Sequence, residues 1–101
     1  MITLQDLKNT MKVAKHTGEM ECFSASKRND YREFSIIVSY YPAHDPKNDI
    51  YPYWTVNMKE EDCYKTEHLN GNQLHEVRDM YNGFITQGIG ESYLQNNLLP
   101  Y

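Results

Sequence analysis

The chain has no long apolar run. Its longest is Ile36-Ile37-Val38, far short of the roughly 20 apolar residues a membrane-spanning helix needs. The stretch from Met1 to Lys15 alternates charged with apolar residues and contains nothing like the core of a secretory signal. These absences set the expectation of a soluble, cytoplasmic protein with no membrane partner. Cysteine is scarce: Cys22 and Cys63 are the only two. Neither belongs to a Cys-x-x-Cys pair, so the common zinc and dithiol redox patterns are missing. They read as two reduced, half-buried thiols, and a strand-to-strand disulfide is open to them only in an oxidising compartment. Glycine is scarce too, at five residues. Gly88-Ile89-Gly90 follows no strand and lacks the remaining spacing of a phosphate-binding loop.

Charge of one sign is not dominant. Ten basic residues stand against fourteen acidic ones, for a net charge of −4. That is not the footprint of a dedicated nucleic-acid binder. Nor is it the dense acidic array of a phosphate mimic. Chemistry finds little footing. No Gly-x-Ser-x-Gly occurs, and neither cysteine stands at a predicted helix start that would activate it. Glu60 and Glu61 are adjacent, so an extended chain points them to opposite sides. The loop holding His44, Asp45 and Asp49 puts Lys47 where a calcium loop wants an oxygen ligand, and Ile50 where it wants glycine. Cys63, His68 and His75 have no zinc spacing. No catalytic set, metal or cofactor is expected.

What is present is a regular pattern in one domain of 101 residues, a usual domain size. Leu4, Leu7, Met11 and Ala14 recur at helical spacing, with Thr3 and Asp6 in capping-box positions and Gly18 as terminator. Glu19–Ser26 reads as a strand, Lys27–Asp30 as a polar turn, and Tyr31–Tyr41 as a central strand with Phe34, Ile36, Val38 and Tyr40 on one face. A loop follows at Pro42–Asp49. Ile50–Met58 is the next strand, with Trp54, Val56 and Met58 facing one way and Tyr51, Tyr53, Thr55 and Asn57 the other. Lys59–Asp62 reads as a turn and Cys63–Leu69 as a fourth strand. Asn72 would cap a second helix, Gln73–Gln87, striped by Leu74, Val77, Tyr81, Phe84 and Ile85. Residues 89–101 would form a tail packed on the body. The expected fold is α+β: one antiparallel sheet of three or four strands, with both helices on one face. The expected core is Leu4, Leu7, Met11, Phe34, Ile36, Val38, Trp54, Val56, Leu74, Val77, Tyr81 and Phe84.

The helix–strands–helix order resembles that of double-stranded-RNA-binding domains. The resemblance is in element order: their second helix opens on a lysine run that grips phosphates, whereas here the same place reads Asn72-Gln73-Leu74-His75-Glu76. The strongest compositional signal is nine tyrosines. Tyrosine brings large contact area at low rotamer cost, with a polar tip, and it is common on recognition surfaces. Tyr51 and Tyr53, with the acidic turn Glu60-Glu61-Asp62, therefore stand as candidate contacts to a protein partner with a basic surface. A small acidic domain without a catalytic set is the form that many inhibitors take. These include anti-CRISPR-like proteins of phages and mobile elements that block host-defence or nucleic-acid-processing enzymes. The expectation is thus a non-catalytic protein-binding module. The alternative is nucleic-acid or nucleotide binding through Lys27, Arg28, Tyr31 and Arg32 in the first hairpin. A sheet apolar on both sides also allows a homodimer.

Overall fold

The computed structural model describes residues 1–28, 33–60 and 63–87. The chain runs α1 (Leu4–Thr17), β1 (Glu21–Arg28), β2 (Glu33–Tyr41), β3 (Tyr53–Glu60), β4 (Cys63–Asn70) and α2 (Leu74–Gln87), with a 3-10 turn at Pro46–Asn48. The strands form one antiparallel sheet in the order β1-β2-β3-β4. This is the α+β architecture the sequence pattern predicts. No described helix is long and apolar enough to cross a membrane.

Helix α1 is bounded by local chemistry. The Thr3 hydroxyl accepts from the Asp6 amide at 3.2 Å, and the Asp6 carboxylate accepts from the Thr3 amide at 2.8 Å. Two otherwise orphaned donors are thereby satisfied. At the far end Gly18 adopts φ 75° and donates its N–H to the Ala14 carbonyl at 2.8 Å. A side chain there would cost about 1 kcal/mol or more in the left-handed region. Leu7 and Ala14 face inward and are fully buried, with Met11 packed beside them.

The register of the central strands sets the core. Tyr40 pairs with Trp54, Val38 with Val56, Ile36 with Met58 and Phe34 with Glu60. Strand side chains alternate between faces, so all eight point to the same side, and each is buried. Both helices cover that side. Val77 and Phe84 from α2 complete the core, and Phe84 meets Phe34 edge-on at 6.3 Å. The segment before α1 is tied to α2. The Ile2 amide donates to Asn82 Oδ1 at 2.9 Å, and Asn82 Nδ2 donates to the Ile2 carbonyl at 3.0 Å.

Several boundaries differ from the sequence reading, each for a tertiary reason. Lys27 and Arg28 belong to β1, paired with Phe34 and Glu33, rather than to a turn. Lys59 and Glu60 likewise extend β3, because Ser35 and Phe34 of β2 offer them a ladder. Strand β3 begins at Tyr53, not Ile50, since Pro52 has no amide to donate. The residue capping α2 is Gln73 rather than Asn72. Its carbonyl accepts from Val77 N at 3.2 Å, and its side-chain Oε1 accepts from Asn70 N at 2.7 Å. In the core, Ala14, Tyr40 and Met58 join the expected residues, while Leu4, Met11, Leu74 and Tyr81 are only partly buried. The tail, residues 89–101, lies outside the described residues.

Candidate functional site

The side of the sheet away from the helices is the natural place for a site. The same alternation that buries Ile36 and Val38 turns Ile37, Ser39 and Tyr41 outward on β2, and Tyr53, Thr55 and Asn57 outward on β3. The face has two parts. At one end Tyr41 and Tyr53, partners in register, stack with ring centroids 4.7 Å apart and planes 13° from parallel. His68 of β4 lies 6.1 Å from the Tyr53 ring. Toward the other end the surface is hydroxyls and amides, with Ile37 43% and Tyr64 77% exposed. The Thr66 hydroxyl hydrogen-bonds the Asn57 side chain across strands. A shallow cavity of about 230 Å³ there is bordered by Ile37, Asn57, Lys59, Tyr64 and Thr66.

Across the middle runs the row Cys22, Ser39, Thr55 and His68, each the register partner of the next. Ser39 and Thr55 are nearly sealed, at 5% and 6% exposure. Thr55 Oγ1 has no hydrogen-bond partner among the described residues. Because that atom is itself covered, it acts as a stability cost and not as a contact. Charge on this face, among described side chains, comes from Glu33 and Lys59 at one end, with Lys65 at the border of the shallow cavity. Such a mixture of Tyr, Ser, Asn and Thr with little charge is the composition of adaptable protein-recognition surfaces.

The candidate residues named from sequence are only partly brought together. Tyr53 is 38% exposed within the aromatic stack. Tyr51 is 53% exposed but precedes the strand, so strict alternation does not reach it. Its ring lies 5.9 Å from His44, and it borders a cavity shared with Met11, Lys15 and Tyr40 on the helix side. Glu60 is not part of a solvent-facing rim: it is 4% exposed, on the helix-covered face opposite Phe34. Glu61 and Asp62 lie outside the described residues, as do Tyr31 and Arg32 of the first hairpin. Tyr41, Ile37 and His68 are members of the face that the contact list drawn from sequence omits. Their positions in the period-two pattern were the available signal.

The cysteines sit on opposite outer strands with β2 and β3 between them. Three strand spacings are about 14 Å, beyond the roughly 7 Å Cα limit of a disulfide. Cys22, on the outer strand β1 and turned to the uncovered face, is a free, exposed thiol rather than a half-buried one. Among the described residues no three His, Cys, Asp or Glu gather as a metal site would require. No protein-family model, no curated protein and no solved structure matches the chain.

Proposed function

We propose that this chain is a non-catalytic protein-binding module that presents the uncovered face of its sheet. The observation that carries this reading is the Tyr41–Tyr53–His68 aromatic cluster beside exposed Ile37 and Tyr64, on a face that neither helix covers. Aromatic anchors surrounded by small hydroxyl and amide side chains suit a partner surface of mixed apolar and polar character. The finer form of the proposal is inhibition of a nucleic-acid-processing or host-defence enzyme. It is supported by the net charge of −4, which favours encounter with a basic partner surface.

The test compares immobilised wild-type protein with the Tyr41→Ala/Tyr53→Ala variant in nuclease-treated lysate of the native host. The expected result is one stoichiometric protein retained by wild type. The variant, with its thermal unfolding within a few degrees of wild type, should bind it at least about tenfold more weakly, as loss of hot-spot aromatics does. Equal retention by both proteins overturns the assignment of this face. Recovery of nucleic acid alone overturns the protein-binding reading itself.

A further inference from the structure

A second surface, on the helix side of the sheet, has a different chemistry. Where β2 ends and β3 begins, a cavity of about 480 Å³ opens between α1 and the strand ends, bordered by Met11, Lys15, Tyr40, Tyr51, Asn70 and Asn72. Beside it lies a second cavity of about 410 Å³ bordered by Lys8, Met11, Lys12, Lys15 and Leu74. Met11 and Lys15 line both, so the two cavities adjoin along α1. Each is within the range of small-molecule sites.

The groove is one-sided in charge. Lys8, Lys12 and Lys15 are four and three residues apart, a spacing that places them on one helix face. None of them pairs with an acid among the described residues, where ion pairs form instead at Lys65–Glu67 and Arg78–Asp79. A lysine stripe on a helix is ordinarily no more than a solvated face. This one differs because it borders a concave space whose opposite wall is aromatic and amide in character. That wall is held rigidly. Gly71 N donates to the Pro52 carbonyl at 3.0 Å, and Trp54 Nε1 donates to the Gly71 carbonyl at 3.2 Å. A Cβ at Gly71 would stand 3.1 Å from the Pro52 oxygen, so any side chain there would push the Pro52 backbone back by a few tenths of an ångström.

The geometry points to a phosphate-bearing aromatic ligand, of the nucleotide class, bound in this groove. Lys8, Lys12 and Lys15 would hold the phosphates, Tyr51 would pack against the base, and the Asn70 and Asn72 amides would meet its polar edge. The lysines alone would suit any anion. The half-exposed Tyr51 ring and the two amides, beside a cavity of about 480 Å³, together favour a short, planar, phosphorylated molecule over an extended acidic chain. The groove is separate from the sheet face proposed for protein binding, and it does not depend on that reading.

The test is an amide-resolved NMR titration with ADP, run in parallel with adenosine, inorganic phosphate, a Glu-rich peptide and a short single-stranded oligonucleotide. ADP is expected to shift the amides of Lys8, Met11, Lys15, Tyr51 and Asn72, and to bind more tightly than adenosine or phosphate alone. Lys12→Glu/Lys15→Glu should weaken ADP at least about tenfold, while Tyr51→Ala should weaken ADP and leave phosphate unchanged. An oligonucleotide that shifts the same amides at lower concentration would identify a strand, not a free nucleotide, as the source of the phosphates. No shift by millimolar ADP overturns the inference, as does equal binding of phosphate alone or of the Glu-rich peptide. Either result leaves the Tyr41–Tyr53 face untouched, and loss of a partner at that face leaves this groove untouched.

Discussion

One sheet carries two unlike surfaces, and they share a backbone. Ile36 and Ile37 are neighbours in sequence, yet one is fully buried and the other is 43% exposed. The helix-covered face holds Phe34, Ile36, Val38, Tyr40, Trp54, Val56 and Met58, each at 3% exposure or less. The uncovered face replaces them with Ser, Thr, Asn, Tyr and a single exposed isoleucine on β2. The covered face is complete without a partner. The uncovered face keeps aromatic area in water and a covered, unpartnered Thr55 hydroxyl. The difference separates what the fold needs from what it can spare for recognition.

The two isoleucines break the comparison most directly. Ile36→Ala removes a fully buried side chain and is expected to cost about 3 kcal/mol, through lost burial and the cavity left behind. Ile37→Ala should cost under about 1 kcal/mol, and its consequence should appear in partner binding instead. Urea unfolding of both variants checks this, and equal losses would mean that the uncovered face is structural after all. A smaller effect of opposite sign is expected at Thr55. Thr55→Val deletes a hydroxyl with no hydrogen-bond partner and should stabilise by about 1 kcal/mol. A decrease in the urea midpoint would show that the hydroxyl is satisfied in solution.

The least pronounced effect lies on the covered face and depends on pH. Burial raises the Tyr40 phenol above its ordinary pKa of 10.0, because desolvation disfavours the phenolate. The folded state therefore holds this proton more tightly than the unfolded chain. The associated stability is complete below about pH 10, the unfolded pKa, and is lost as pH rises through the folded value. Urea midpoints should fall more steeply in that window for wild type than for Tyr40→Phe. Parallel slopes would remove Tyr40 as the cause.

Much of this division was legible in the residues. The alternation from Phe34 to Tyr41 and from Tyr53 to Met58 assigns both faces without reference to structure, and the Thr3–Asp6 box and Gly18 bound α1. Where the reading stopped short, the missing information was non-local. Lys59 and Glu60 look like a turn because they begin a charged run, but the β2 ladder opposite extends the strand through them. Nothing adjacent to Glu60 reveals that it comes to lie opposite Phe34. Lys8, Lys12 and Lys15 carry no local sign of a groove. Their groove exists only because the ends of β2, β3 and β4 converge beside α1, and Tyr51 drops out of the face because the ladder begins after Pro52.

The clasp between Ile2 and Asn82 has a consequence for the order in which the molecule assembles. Its two hydrogen bonds join residues 80 apart in sequence, and closing a loop of that span costs roughly 4 kcal/mol of chain entropy. The sheet, by contrast, is a meander of neighbouring hairpins that close early at short range. The clasp is thus expected to form after the transition state, on a sheet already zipped. Asn82→Ala should steepen escape from the native state while leaving the refolding limb of the chevron nearly unmoved. A slowed refolding limb would place the meeting of the two helices at the start of folding instead.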